Sequence, residues 1–192
     1  MPTETLLRAS ADIVWLRDDF RLDDQPSIHA AADLPALFVY VHDEAGGGAR
    51  PLGGAAKWRL EKSLAAMEAE LSARGARLDI VRGDAEGAIL ALAPAAGASR
   101  VLWTRRYEGG AMALDARVKA ALKEHGVDGL SFNGRLLREP LKLAKADGAP
   151  INVFSAFLAP PSRARSLART HAGARAPDRR ALAARGAASR LD

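Results

Sequence analysis

The sequence contains no cysteine. Disulfides, thiolate nucleophiles and thiolate metal sites are therefore excluded. Its four histidines, His29, His42, His125 and His171, are scattered and offer no metal-ligand spacing. No apolar run approaches the about 20 residues that span a bilayer, so no membrane partner is expected. Residues 1–10 lack a basic segment followed by a long apolar stretch, so no secretory signal is expected and a cytoplasmic protein is the default. No side chain stands out as a nucleophile or as half of an acid–base pair, and none is named as catalytic or metal-binding.

What is present is an ordinary globular composition, with 48% apolar and 27% charged residues in 192. That length allows one domain with a proper core and some chain to spare. The net charge of +5 misleads if read globally. Of 28 basic and 23 acidic residues, eight arginines and two aspartates lie from residue 161 onward, which leaves 20 basic and 21 acidic residues before it. The basic character belongs to the tail, and the preceding 160 residues have no overall bias toward nucleic acid.

The chain is organised around Ile13 to Pro26. A short apolar strand ending at Leu16 breaks into a loop that alternates Asp and Arg, and a helix follows from Pro26 to Ala32. Pro35 to His42 is almost continuously apolar, as in a strand covered on both faces. Asp43 to Gly54 is a loop containing Gly46-Gly47-Gly48. Ala55 to Arg74 is predicted as a helix with Trp58, Leu60, Leu64, Met67 and Leu71 on its core side, stopped by Gly75. Trp58 is expected in the core rather than as a stacking platform. Further strands are predicted at Arg77 to Arg82, Ser99 to Thr104 and Val127 to Phe132. Helices are predicted between them at Ala85 to Ala93, capped by Asp84, and at Ala111 to His125, with Met112, Leu114, Val118 and Leu122 on related faces. This alternation predicts an α/β fold: a doubly wound five-stranded parallel sheet with helices on both faces. Ligands of such sheets sit outside the carboxyl ends of the strands.

Trp15-Leu16-Arg17-Asp18-Asp19-Phe20-Arg21-Leu22-Asp23-Asp24-Gln25-Pro26 resembles the N-terminal signature of the DNA photolyase/cryptochrome family, roughly W-F-R-R-D-L-R-L-x-D-N-P. Asp18 stands where a second Arg is usual and Gln25 where Asn is usual. Gly148 to Phe157 resembles that family's G-x-P-Y-x-V-F-T-P-F, with Ile151 replacing the aromatic. The resemblance covers about residues 11–157. It implies a Rossmann-like N-terminal domain that binds an antenna chromophore, followed in the family by a helical domain that holds FAD and damaged DNA. On that reading residues 8–132 are the α/β domain, 133–160 begin an interdomain linker, and the catalytic FAD domain is absent from this chain. Enzyme activity of this chain by itself is thus left open: the resemblance is to a light-dependent lyase of pyrimidine dimers, but damaged DNA would be met only through the missing domain.

From residue 158 the pattern is lost. The tail, 161–192, is Ala/Arg-rich and contains no Lys, Glu, Ile, Val or aromatic residue. A frameshift near codon 157 is the favoured explanation, and a genuine basic tail contacting nucleic acid or a membrane surface is the rival. Either way the tail is expected to be largely disordered, since it has little apolar surface to bury. Two other functions stay open: a stand-alone nucleotide- or flavin-binding module, and a basic-tailed nucleic-acid adaptor.

The candidate cofactor-binding residues are Arg17, Lys57, Tyr107 and Glu108, together with the Asp43–Gly54 loop. Arg17 and Lys57 could meet an anionic group, Tyr107 could stack on a ring and Glu108 could accept from ring N–H groups. The bland alternatives are that Arg17, Asp19 and Arg21 pair with one another, that Lys57 is solvated, and that Glu108 serves Arg105 or Arg106. The resemblance implies an Asn-Glu pair in folate-binding members, where this chain has Gly110-Ala111. That argues against folate and leaves a deazaflavin, a flavin or no antenna, with FAD expected only in a full-length parent.

Overall fold

The computed structural model describes residues 11–31, 35–44, 51–137 and 139. Nine elements alternate along it: β1 (Ala11–Leu16), α1 (Pro26–Ala30), β2 (Ala36–His42), α2 (Gly54–Ala73), β3 (Leu78–Arg82), α3 (Ala85–Ala95), β4 (Ala98–Thr104), α4 (Gly109–Glu124) and β5 (Asp128–Phe132). All neighbouring strands are parallel, in the order β3-β2-β1-β4-β5. This is the doubly wound sheet that the alternation of elements predicts. The glycine triplet, the linker motif at 148–157 and the tail lie outside the described residues.

Alternation along β1 builds both halves of the core. Ile13 and Trp15 point to one face, where they join Val39, Ile89, Val101, Trp103, Leu114, Val118 and Leu122 beneath α3 and α4. Val14 and Leu16 point to the other, with Ile28, Phe38, Met67, Leu71 and Leu102 beneath α1 and α2. A strand covered on both faces has no polar side, which is why 13–16 of β1 and 36–41 of β2 read as apolar runs. At the amino ends, the buried carboxylate of Asp12 receives two hydrogen bonds from Arg100, at 2.9 and 2.5 Å. That pair ties the start of β1 to β4, far from the carboxyl ends where a ligand would sit.

Local chemistry sets the helix limits. The Asp84 side chain accepts from the Gly87 amide at 2.7 Å and so caps α3. Gly83, just before it, has φ of +129°, a backbone conformation that a residue with a Cβ rarely adopts. The strand-to-helix turn therefore depends on glycine there.

Two expectations are corrected. Trp58 is 64% exposed and Met112 is 45% exposed. Each lies two positions before the apolar stripe of its helix: Trp58 before Leu60, and Met112 before Leu114. With 3.6 residues per turn, a step of two crosses to roughly the opposite side of the cylinder. Met67 and Leu71 of α2, and Leu114, Val118 and Leu122 of α4, keep spacings of four and are buried.

Candidate functional site

The strand order reverses between β1 and β4, because the chain moves outward through β2 and β3 and then returns to the other side of β1. At that reversal the two crossover connections leave in opposite directions and open a crevice. A cavity of about 560 Å³ occupies it. Its wall includes Trp15, Arg17 and Asp18 after β1, Tyr40 to Glu44 at the end of β2, Pro51, Leu52, Lys57 and Arg59 around the start of α2, and Ala85 of α3. Arg106, Ala111 and Leu114 close it from the β4–α4 side, and Arg135 enters from the segment after β5.

Arg17 is 6% exposed, and its guanidinium is held on two sides. Its carbon lies 4.5 Å from the centroid of the Trp15 ring, and Nη1 donates to Asp115 Oδ1 at 2.7 Å. The second oxygen of Asp115 accepts from Trp103 Nε1 at 3.0 Å. Burial pushes the Arg17 pKa down, and Asp115 opposes that shift. The cation is therefore fixed and partly neutralised by the fold itself.

The rest of the Asp/Arg loop is architecture. Asp19, also buried, accepts from the Arg17 amide at 3.2 Å and from the side-chain amide of Gln25. Gln25 is fully buried and accepts in turn from the Thr104 hydroxyl at 3.1 Å, which joins the β1 loop to the end of β4. Arg21 donates to the carbonyls of Asp24 and Gly134, at 3.1 and 2.7 Å. The alternative that Arg17, Asp19 and Arg21 pair with one another is corrected: Arg17 finds its carboxylate on α4, and Arg21 bonds backbone carbonyls. Backbone groups at strand ends need partners, and long side chains reach them first.

Arg17 and Lys57 both line the cavity; Tyr107 and Glu108 do not. The loop after β4 divides its side chains between two destinations. Arg106 faces the cavity and lies 3.5 Å from Asp18 and 3.4 Å from Glu108. The Tyr107 hydroxyl donates to Glu139 at 2.8 Å, and Arg105 pairs with the same carboxylate. Burial, then Glu139, raises the Tyr107 pKa to about 12. The Glu108 pKa is lowered, first by a hydrogen bond that its carboxylate accepts from its own backbone amide, against burial, and then by Arg106 and Arg135. Gly110-Ala111 lies in the first turn of α4, and Ala111 is buried at the cavity edge.

Sequence reasoning missed Tyr40, Arg59, Arg106, Asp115 and Arg135. For Asp115 a signal existed: a carboxylate next to Leu114 and one turn before Val118 stands beside the apolar stripe of α4 and needs a cation there. Among the described residues no cluster of three or more His, Cys, Asp or Glu could hold a metal, and no helix is long and apolar enough to cross a membrane.

Comparison with known proteins places this geometry. The DNA photolyase family description matches residues 12–177, beyond Phe157, where the motif resemblance ends. A deoxyribodipyrimidine photo-lyase of Agrobacterium fabrum is 39% identical over 153 residues, covering 79% of this chain and 31% of its own length. Cryptochrome-1 of Arabidopsis thaliana is 34% identical over 149 residues, with 76% and 22% covered. The crystal structure of a bacterial class III photolyase from Agrobacterium tumefaciens superposes with a TM-score of 0.71 at 38% identity, covering 80% of this chain and 32% of that one. The chain spans about a third or less of the length of these relatives.

Proposed function

The chain belongs to the DNA photolyase family, and on that premise we propose that its α/β domain holds a light-absorbing chromophore of flavin or deazaflavin type in the cavity at the β1/β4 reversal. The observation that carries the reading is the cavity itself. Its volume of about 560 Å³ falls within the range of small-molecule sites, about 300–1,000 Å³. It lies at the carboxyl ends of the strands and combines aromatic walls, Trp15 and Tyr40, with a surplus of basic side chains.

The residues suit a planar ring carrying an anionic substituent. Tyr40 offers apolar ring surface, and the Trp15 ring backs the Arg17 guanidinium. Arg17 is neutralised by Asp115, and Asp18 lies close to both Arg106 and Arg135. Lys57 and Arg59 form no ion pair among the described residues, so they are the cations left to meet a phosphate or carboxylate at the mouth. When bound, such a group would supply absorption of light; the protein supplies position and environment. Family members bind flavin, deazaflavin or folate antennae together with FAD, and act on damaged DNA. Gly110-Ala111, in place of a polar pair, favours a flavin-like ligand over folate. Repair of pyrimidine dimers, or light signalling, would belong to a longer protein that also carries the FAD region.

Titration of the 192-residue chain with FMN, a 5-deazaflavin and methenyltetrahydrofolate, followed by fluorescence, tests the reading. Saturable binding of one flavin-type ligand per chain, with folate much weaker, is the expected result. Preference for folate, or no binding of any of the three, overturns it.

A further inference from the structure

We infer that Tyr40 is a specificity-determining residue of this cavity, donating its phenolic hydrogen bond to a carbonyl or ring-nitrogen acceptor of the bound ring system. The inference rests on the chromophore reading above. Tyr40 is 9% exposed and lines the cavity. The hydroxyl is not itself fully enclosed, and a tyrosine hydroxyl at a cavity wall takes a hydrogen-bond partner from protein, water or ligand. Among the described residues the Tyr40 hydroxyl has none. Its counterpart Tyr107, on the far side of the loop after β4, is engaged by Glu139.

The ring is held in place. Its centroid lies 5.6 Å from that of Phe20 and 6.4 Å from that of His42, and its strand neighbours are Leu16 and Ile80. These contacts are to the ring, and a phenylalanine would keep them. The described fold gives the hydroxyl no protein partner, and the residue stands at the cavity wall. Burial raises the Tyr40 pKa, Asp18 and Asp43 raise it further, and Arg106 opposes them. All three charged residues line the cavity, so the hydroxyl sits among its polar groups and keeps its proton at neutral pH. What it offers a ligand there is a donor fixed in direction. Flavins and deazaflavins both carry a pyrimidinedione edge whose carbonyls accept such a bond, whereas an apolar ring of the same size would leave the hydroxyl unsatisfied.

The test uses the full chain and its Tyr40→Phe variant, titrated with FMN and with a 5-deazaflavin, alongside thermal melts without ligand. The expected result is an unchanged melting temperature, an affinity about tenfold weaker and a smaller ligand absorption shift. Equal affinity and an equal shift for the variant overturn the role of Tyr40 while leaving the cavity reading intact. A lowered melting temperature overturns it too, by giving the hydroxyl a structural job. Failure of the wild-type chain to bind either ligand removes the cavity reading, and the role of Tyr40 with it.

Discussion

Arg17 and Asp115 lie 98 positions apart in the chain and meet at 2.7 Å, with side chains 5% and 9% exposed. Removing one partner of such a pair strands a buried charge, whereas replacing both by apolar groups is far milder. Asp115→Ala is therefore expected to destabilise the fold by about 3–5 kcal/mol. The double variant Arg17→Met/Asp115→Leu should recover much of that loss. Urea denaturation of wild type and the two variants measures both effects, and a double variant no more stable than Asp115→Ala would argue against a coupled pair.

Gly134 is predicted to reject any side chain. A Cβ there would lie 2.9 Å from Gln25 Oε1 and 3.2 Å from the Thr104 methyl. Gln25 cannot swing aside, because it is fully buried and bonded to both Asp19 and Thr104. Gly134→Ala should cost about 1–3 kcal/mol, read as a fall in the urea midpoint. A variant as stable as wild type would mean that the Gln25 bridge is looser than its geometry.

Both tyrosines of the chain should ionise late, since Tyr40 and Tyr107 are each raised above the ordinary value. For Tyr107, pushed up to about 12, the folded state binds the proton more tightly than the unfolded chain does. Its contribution to stability is complete below pH of about 10 and is lost as pH rises toward 12. Titration at 295 nm should show little tyrosinate below pH of about 10. Glu139→Gln should bring the Tyr107 step down, because the Glu139 carboxylate is one of the causes that raise it. An unmoved step would separate Tyr107 from Glu139.

Lys57 should distinguish ligands by charge. If it meets an anionic substituent at the cavity mouth, Lys57→Ala will weaken FMN binding several-fold and leave riboflavin binding nearly unchanged. The difference should shrink in high salt, since Lys57 is exposed. Equal losses for both ligands would assign Lys57 to ring contacts instead.

Much of the fold was legible because its signals are local. Apolar runs of strand length, Asp84 before a helix and Gly75 or Gly126 after one are written in adjacent residues. The stripes of α2 and α4 were legible except at Trp58 and Met112, where steps of two were grouped with steps of four. The site was legible only in part. Arg17 and Lys57 come from motif and helix positions that point to the strand ends, whereas Arg106, Tyr107 and Glu108 are consecutive, and sequence gives no sign of which side each takes. The Arg17–Asp115 and Gln25–Thr104 contacts depend on β1 lying against β4, a neighbour relation that no local pattern encodes.

That neighbour relation also orders events in time. During synthesis β1 emerges before the other strands of this sheet and can pair with β2 as soon as that strand follows, but its other edge must wait for β4, which ends at Thr104. Until then a largely apolar strand presents open backbone groups on one side, the kind of edge that recruits foreign strands. Pairing across such a distance is slow to form. The earliest strand of this sheet is thus among the last to be enclosed, and helpers that shield exposed edges would matter most between the appearance of His42 and that of Thr104.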